Sequence, residues 1–279
     1  MNTSKVWYIT GSSQGLGLTL VKMLLDKGYR VAATSRDVQA LKKAVDLIDS
    51  ERFLPLAVDL SNLDCIDESI QQTLEAFGRI DVLVNNAGYG MTGTVEETTE
   101  KEINKIFDVN ILATINVAKR ILPIMRQQRA GYIINIGSVA GFAGAPGWSV
   151  YSATKAAVAA FSEVLALDVK EFGINVTVVE PSGFRTGFLT NNSLAYTESR
   201  IDGYNAVKET QQRYLAADGN QPGDPVMASA IFIEIAETKE PPLHLYLGQD
   251  AYTRASGKLA AMTAELEQWK STTFSADYK

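Results

Sequence analysis

The chain has 279 residues and a formal net charge of −6, with 46% apolar and 21% charged residues. This size suits one large α/β domain or two small ones, and the composition is that of an ordinary globular protein. The acidic balance excludes a basic surface for nucleic acid or anionic lipid, and the single cysteine, Cys65, excludes an internal disulfide framework.

Several features of the chain predict a cytoplasmic protein without a metal site. No apolar run reaches the length that spans a bilayer, and the N-terminal residues lack the basic-then-apolar pattern of a signal peptide. The lone histidine, His244, stands in a predicted late strand with no cluster of cysteines or acids around it. We therefore interpret His244 as structural and expect no bound metal.

A strand, a glycine-rich turn and a helix are predicted at the start of the chain. Residues 6–9 form a short apolar strand, residues 10–17 carry the spacing G-x-x-x-G-x-G, and a helical pattern follows through Lys27. Glycines permit the tight turn and a close approach of the backbone to a pyrophosphate, while the helix N-terminus presents free N–H groups. This turn predicts dinucleotide binding, although a purely structural glycine-rich turn would show the same pattern.

The end of the second predicted strand, residues 30–34, bears on the choice of cofactor. Proteins that bind NAD this way usually carry an acidic residue there for the ribose 2′-hydroxyl. Ser35 and Arg36 stand at this place instead, with Asp37 close by. A hydroxyl and a guanidinium suit a 2′-phosphate, so the sequence favours NADP(H) over NAD(H). The alternative is that Arg36 only lies in solvent at the sheet edge.

Strands and helices alternate along the rest of the chain, which implies a parallel sheet with both faces covered. We predict an α/β Rossmann-type doubly wound parallel sheet of about seven strands, flanked by helices on both faces. Residues 1–279 form a single domain, with 187–225 as a substrate lid and 241–279 as the C-terminal strand and helix. The remaining predicted strands are 53–58, 82–84, 132–136, 174–179 and 243–247, and the remaining helices are 64–77, 98–128, 151–172, 225–237 and 251–269.

Side-chain amides stand at two informative places. Asn85 and Asn86 follow the fourth predicted strand, where they could pin a loop and line a nucleoside pocket, although a plain Asx turn would look similar. Asn110 interrupts the apolar stripe of the long helical stretch 98–128. A buried amide needs partners, so Asn110 is either a structural hydrogen-bond hub or a holder of water near a reacting centre.

Tyr151 and Lys155 lie four residues apart on a predicted helix, so the phenol and the ammonium share one face. A nearby cation favours the phenolate, and we expect Lys155 to lower the pKa of Tyr151 toward the working range. Ser138 follows the fifth predicted strand, at the edge where open α/β sheets place their ligands. A tyrosine and a lysine at this spacing also occur by chance, so the interpretation depends on the other motifs.

These motifs resemble those of the short-chain dehydrogenase/reductase family across essentially the whole chain. The segment 241–248 is similar to that of steroid- and retinol-type dehydrogenases and of many bacterial oxidoreductases. The resemblance implies a nicotinamide-dependent enzyme that interconverts a ketone or aldehyde with an alcohol. The matching stretches, in the family's order and spacing, are 10–17, 85–88, Asn110, Ser138, Tyr151 with Lys155, and 181–186.

The resemblance also implies a role for individual residues. Tyr151 would be the general acid and base, Lys155 would lower its pKa and hold the nicotinamide ribose, and Ser138 would bond the substrate oxygen. Asn110 would position a water that links Lys155 to solvent. From the residues and the resemblance together, the predicted cofactor contacts are Gly11, Ser13, Gln14, Gly15, Leu16, Gly17, Ser35, Arg36, Asp59, Leu60, Asn86, Ala87, Gly88, Tyr151, Lys155, Pro181, Gly183, Phe184 and Thr186.

Two residues depart from the family's pattern. Ser182 stands where a glycine usually follows the proline, and Gln14 stands where many NADP-preferring relatives carry a basic residue, so the cofactor preference depends on Arg36. The alternatives to an NADP(H)-dependent oxidoreductase are a non-catalytic NADP(H)-binding redox sensor and an NAD(H)-preferring alcohol dehydrogenase. Enoyl reductases place the tyrosine and lysine further apart, and the epimerase branch has a larger C-terminal domain.

Apolar residues near the predicted site favour a moderately apolar substrate, although ordinary packing would explain each of them equally well. The resemblance implies that the long helices that start at 98 and 151 form the subunit interface of a homodimer or homotetramer. The apolar candidates are Tyr89, Met91, Phe142, Trp148, Phe184 and Phe188.

Overall fold

The computed structural model describes residues 5–46, 51–190 and 193–278. Its main sheet has seven strands that all run parallel, in the order β3-β2-β1-β4-β6-β7-β9, and a separate parallel pair joins β5 to β8. The strands are β1 (Val6–Ile9), β2 (Arg30–Ser35), β3 (Phe53–Ala57), β4 (Val82–Asn85), β5 (Gly90–Thr92), β6 (Gly131–Ile136), β7 (Ile174–Pro181), β8 (Leu194–Tyr196) and β9 (His244–Leu247).

Helices cover both faces of this sheet. A π-helical turn, Asp108–Leu112, joins α4 to α5, and a 3-10 turn, Lys170–Phe172, follows α7. The α-helices are α1 (Gly15–Asp26), α2 (Val38–Val45), α3 (Leu63–Phe77), α4 (Glu100–Phe107), α5 (Ala113–Gln128), α6 (Val139–Phe142), α7 (Ser149–Val169), α8 (Asn205–Ala216), α9 (Pro225–Glu237) and α10 (Gln249–Phe274).

The two faces of the sheet bury two separate cores, because successive side chains of a strand point to opposite sides. Trp7 and Ile9 of β1 pack into the core under α1 and α9, whereas Val6 and Tyr8 pack into the core under α3, α5 and α7. All four side chains of β1 are fully buried. The prediction of a doubly wound parallel sheet of seven strands is therefore confirmed.

The strand order reverses direction between β1 and β4. Strands β2 and β3 continue the sheet on one side of β1, while β4 and β6 continue it on the other. The loops that follow β1 and β4 therefore diverge at their carboxyl ends and leave a crevice, which is the place where doubly wound sheets bind nucleotides.

The segment 187–225, predicted as a substrate lid with no strand or helix before residue 225, contains regular structure. Its β8 pairs with β5 through Gly90 and Leu194, and α8 follows. Three-residue strands carry too few side chains for a periodic signal, and this pair forms only because the fold brings distant segments together. Residues 191 and 192 lie outside the described part.

Other boundaries differ from the predictions in ways that local contacts explain. Helix α2 is absent from the sequence-based elements, and it begins where the Asp37 carboxylate accepts the backbone N–H groups of Gln39 and Ala40. The stretch predicted as one helix over 98–128 begins at a capping box of Thr99 and Glu102 and contains the π turn.

One helix has the length and composition of a membrane span, although the sequence is expected to contain no such run. Among the described residues, Ser149–Phe172 is long and apolar enough to cross a membrane by length and composition. Helix α7, which makes up most of it, packs on β7 and β6, and it buries residues such as Val158 and Leu165 against the sheet. We therefore assign it to the core of the domain.

Candidate active site

The glycine-rich turn after β1 is packed tightly against the loop after β4. Gly11 has a φ of +68°, and a Cβ there would lie 2.7 Å from the Cα of Ala87. A Cβ on Gly17 would lie 2.5 Å from Nδ2 of Asn86. The neighbouring loop therefore requires glycine at both places, and at Gly11 the positive φ favours glycine as well.

Asn86 fastens these two loops together. Its Nδ2 donates to the carbonyl oxygens of Thr10 at 2.9 Å and Gly11 at 2.8 Å. In return, the Thr10 hydroxyl oxygen accepts the backbone N–H groups of Asn86 and Ala87. The prediction that an amide pins this loop is confirmed, whereas its contact with a nucleoside stays a prediction.

The N-terminus of α1 is arranged as an anion site would be. Gln14 occupies the cap position without capping the helix, and its Nε2 instead donates to the Ser193 hydroxyl at 2.7 Å. The first turn holds no acidic residue, and Gly15 has a φ of +60°, where an added Cβ would lie 3.4 Å from the Cβ of Thr186. Free N–H groups, the helix dipole and glycines around them fit the pyrophosphate of a dinucleotide. Ser13 is part-exposed beside them, while Leu16 packs partly into the core.

The acidic side chains near the end of β2 are already engaged. Asp37 caps α2, and its own N–H donates to the Ser35 hydroxyl at 3.2 Å. Hydrogen bonds from Ser61 lower the pKa of Asp59, and the Arg36 guanidinium lowers it further. Arg36 is exposed and therefore stands near Asp59 with its charge accessible. Leu60 packs partly against the core under α3.

The segment that follows β7 crosses toward the glycine-rich turn. Thr186 lies beside Gly15, since a Cβ added there would be 3.4 Å from the Thr186 Cβ, and the Gly183 carbonyl accepts the Gly223 N–H at 3.0 Å. The Ser182 N–H donates to the Leu247 carbonyl at 3.1 Å, which ties the segment to the end of β9. The side chain of Phe184, by contrast, is buried in the core under α1 and α9. The prediction that this ring lines a substrate pocket is wrong, because the chain turns it inward.

Tyr151, Lys155 and Ser138 meet at the carboxyl end of β6. The Lys155 Nζ lies 5.9 Å from the centre of the Tyr151 ring and donates to the Ile136 carbonyl at 2.8 Å. Ser138 caps the short helix α6 through the Ala140 N–H and hydrogen-bonds the Tyr151 side chain. The spacing of four residues on α7 therefore brings the phenol and the ammonium together, as predicted from the sequence.

The protonation of this pair differs from the expectation. Burial raises the pKa of Tyr151 to about 12, against an opposing effect of the hydrogen bond to Ser138, and the Tyr214 side chain raises it further. Burial also lowers the pKa of Lys155 to about 8. The net lowering of the Tyr151 pKa that the sequence predicts is not found, because loss of hydration raises this pKa more than the hydrogen bond to Ser138 lowers it.

Asn110 is a hydrogen-bond hub. It is buried in the π turn, its Oδ1 accepts the Tyr89 N–H at 3.0 Å, and its Nδ2 donates to the Tyr89 carbonyl at 2.9 Å and to the Thr154 hydroxyl at 3.2 Å. Thr154 lies between Tyr151 and Lys155 on α7. A Cβ on Gly88 would lie 3.1 Å from the Asn110 Oδ1 and 3.4 Å from the Lys155 Nζ. The side chain thus holds the loop after β4 against the Tyr–Lys turn.

An apolar cluster surrounds the Tyr151 ring. Trp148 packs edge-on to Tyr151 with their ring centres 5.3 Å apart, and Phe188 lies 6.1 Å away. Met91 and Tyr89 belong to the same cluster, so four of the six predicted apolar residues are brought together. Phe142 is not among them, because its ring packs on Tyr246, 5.8 Å away, on the side of α10.

Tyr214 of α8 belongs to this site, and the sequence analysis does not identify it. Its ring centre lies 5.0 Å from that of Trp148, and its side chain affects the Tyr151 pKa. Leu189 and Leu194, from the same segment, are buried in the cluster. The apolar residues at helical spacing within 205–216 could have predicted helix α8. They could not have predicted that Tyr214 packs against Trp148, because the two residues are distant in the chain.

Comparison with known proteins identifies the family. The model of the short chain dehydrogenase family matches residues 5–196. The chain is 37% identical over 268 residues to oxidoreductase BOA17 of Botryotinia fuckeliana, covering 96% of this chain and 97% of that protein. It is 35% identical to a 3-ketodihydrosphingosine reductase of Bacteroides thetaiotaomicron, covering 86% of each.

A solved structure extends the similarity to the whole molecule. The crystal structure of a short-chain dehydrogenase from Streptomyces avermitilis matches with a TM-score of 0.91 at 35% identity, covering 98% of this chain and 99% of that one. The family match covers more than half of the chain, and the crevice and the Tyr–Lys–Ser cluster agree with it. The chain belongs to the short-chain dehydrogenase/reductase family of NAD(P)-dependent oxidoreductases.

Proposed function

We propose that the protein uses NADP(H) to interconvert a ketone or aldehyde with an alcohol, with Tyr151 as the general acid and base. The observation that carries this proposal is the cluster of the buried Tyr151 and Lys155 with the half-buried Ser138, at the carboxyl end of β6 beside the crevice between β1 and β4. A proton donor, a cation and a hydroxyl at such a place suit carbonyl chemistry.

The side chains divide the work of a reduction. The nicotinamide, when bound, supplies the hydride. Burial keeps the Tyr151 phenol protonated at neutral pH, so it can donate its proton to the carbonyl oxygen while the Ser138 hydroxyl donates a hydrogen bond to the same atom. The Lys155 ammonium, one turn along α7, stabilises the phenolate that remains.

The raised pKa of Tyr151 supplies the protonated phenol from which a reduction starts. Oxidation of an alcohol requires the phenolate as base, and burial disfavours that form. Reduction begins from the neutral phenol. The Lys155 pKa of about 8 allows this ammonium to return a proton to Tyr151 after turnover. A water held near Asn110 as the link to solvent stays part of the proposal.

The end of β2 supports NADP(H) rather than NAD(H). Asp37 is the acid closest in sequence to Arg36, and its carboxylate accepts the N–H groups of Gln39 and Ala40 at the start of α2. The exposed Arg36 can therefore meet a 2′-phosphate, because Asp37 is engaged at the start of α2 and the nearby Asp59 accepts hydrogen bonds from Ser61. An NAD(H)-preferring enzyme is the alternative that the cofactor measurement in the Discussion tests.

The cluster around Tyr151 supports a moderately apolar substrate with a second polar group. Aromatic rings of Trp148, Phe188 and Tyr214 form its wall. The Trp148 Nε1 is buried without a hydrogen-bond partner in the described structure, so it can donate to a substrate oxygen. The name of the Bacteroides relative, a keto reductase, is consistent with this class.

A subunit interface on α5 and α7 is also proposed. Leu112, at the end of the π turn, and Val164 and Leu167 of α7 are exposed although they are large and apolar. These are the helices predicted as the interface of a homodimer or homotetramer. The cytoplasmic location stays a prediction.

The deciding experiment replaces Tyr151 by phenylalanine. We expect Tyr151→Phe to lower the rate of NADPH oxidation with a panel of ketones and aldehydes by at least 100-fold, because the ring stays and only the proton donor is lost. Binding of NADPH, followed by nucleotide fluorescence, should persist. A redox sensor would bind NADPH but reduce no carbonyl even in the parent protein, and an unchanged rate in the variant would refute the assignment of Tyr151.

A further inference from the structure

The C-terminal helix α10 leaves the body of the protein after its second turn. Ala251 and Ala255 are buried against the domain, but every residue from 256 to 278 is exposed. The eighteen helical residues after Ser256 extend roughly 27 Å at 1.5 Å per residue. A helix of this length is marginal in water unless it buries an apolar face, so α10 needs a partner.

Four large apolar side chains form a seam along this free part of α10. The α10 seam consists of Leu259, Met262, Leu266 and Trp269, with exposed fractions of 53%, 42%, 69% and 55%. The spacing of three, four and three residues is the a and d pattern of a coiled coil. Ala264 lies on the opposite face.

We propose that the α10 seam pairs with the same seam of a second copy of this chain, as a short parallel coiled coil. In heptad positions, Glu265 is at g and Lys270 at e. A parallel pair brings each Glu265 next to the partner subunit's Lys270, which forms two ion pairs between the chains. Within one chain Lys270 contacts Glu267 only at 3.4 Å on the exposed surface.

The charges select this arrangement over two others. In an antiparallel pair that matches Leu259 with Trp269, the two Glu265 side chains would lie side by side near the symmetry axis and repel. A membrane surface would attract a helix with a basic face. The residues 256–279 carry Lys258, Lys270 and Lys279 against Glu265, Glu267 and Asp277, so they have no net charge.

The similarity to the Streptomyces structure extends into α10. The Streptomyces structure is aligned over 98% of this chain, which includes most of α10. Four seam residues per copy bury a small area compared with the roughly 1,200–2,000 Å² of a stable interface. The pairing through the α10 seam alone therefore depends on the protein concentration. It joins two of the assemblies that form through α5 and α7, so the number of chains in the assembly doubles.

The first test measures molar mass by sedimentation over a range of protein concentrations. Leu266→Glu places a charge in the seam of an exposed helix, and we expect it to halve the mass of the largest species. Ala264→Glu adds the same charge on the opposite face and should behave as the parent. Equal masses for the parent and Leu266→Glu at every concentration would overturn the proposal.

The second test exchanges charges. Glu265→Lys and Lys270→Glu should each weaken association at least threefold, and the double exchange should restore it, because the ion pairs form again with reversed signs. Pairing should also shift the emission of Trp269 to the blue as the concentration rises. A double variant no better than either single one would refute the parallel register. Binding to phosphatidylcholine–phosphatidylglycerol vesicles that Leu266→Glu abolishes, without any change in mass, would assign the seam to membranes instead.

Discussion

Single residues show how strongly burial controls the chemistry of this site. Tyr151 and Lys155 stand together as their spacing predicts, yet each is driven toward its neutral form. Coulomb attraction between a phenolate and an ammonium is strong in a dry site, but removal of each charge from water costs more here. The spacing in the sequence determines which side chains become neighbours, whereas their burial determines which of them carries a charge.

The burial of Lys155 predicts a pH dependence of stability. The pKa of Lys155 is about 8 in the folded protein and 10.5 without the protein environment. Between these two pH values the unfolded state binds more protons than the folded state, so the free energy of unfolding rises with pH. We expect the difference in unfolding free energy between the parent and Lys155→Met to move by about 2 kcal/mol in favour of the parent from pH 7 to pH 9.5. Urea unfolding of both proteins measures it, and a difference that does not change with pH would contradict the burial of the ammonium.

Arg36 carries the cofactor prediction at the same scale. Loss of a charged hydrogen bond to a 2′-phosphate costs about 1.5–3 kcal/mol, so Arg36→Ala should raise the KM for NADPH roughly 10- to 100-fold and leave that for NADH unchanged. Lys43→Ala removes an exposed cation of α2 and serves as the control. If both cofactors respond equally to Arg36→Ala, Arg36 is only a solvent-exposed residue of the sheet edge.

At the scale of elements, the site depends on loops that brace one another. The turn after β1 and the loop after β4 are held by Asn86, and the loop after β4 is held to α7 by Asn110. A short π turn lies at the centre of the second contact, which is common where a helix carries a functional residue. Two amides therefore link the cofactor crevice to the Tyr–Lys turn.

Gly17→Ala tests this bracing. The added Cβ would lie 2.5 Å from the Asn86 Nδ2 and 2.6 Å from the Gly11 carbonyl oxygen, so Asn86 must move. We expect a loss of about 1–3 kcal/mol in unfolding free energy and weaker NADPH binding. Gly257→Ala makes the same change in an open stretch of α10 and should stabilise by about 0.5–1 kcal/mol. Thermal unfolding of both variants measures the two changes in stability. A Gly17→Ala variant as stable as the parent would show that Asn86 can move without loss of stability.

At the scale of the whole molecule, the segment 187–225 is fixed over the apolar cluster by contacts from several distant parts of the chain. The buried Glu97 carboxylate accepts the Ile201 N–H at 2.8 Å, Gln14 reaches Ser193, and Tyr204 donates to Glu96 at 2.7 Å. Hydrogen bonds from backbone N–H groups keep the pKa of Glu97 low. A role as substrate lid stays a prediction.

The residue pattern alone predicts the seven strands of the main sheet in their chain order, most of the helices on its faces, the turn with Gly11 and Gly17, and the pairing of Tyr151 with Lys155. These features follow from residues close in the chain, whose spacing and backbone preferences are local. Folding is needed to explain why Phe184 and Phe142 pack outside the cluster around Tyr151, why Tyr214 packs within it, why β5 pairs with β8, and why the pKa of Tyr151 is raised. Each of those outcomes depends on contacts between distant segments and on the water they exclude, and neither quantity is written in a local pattern.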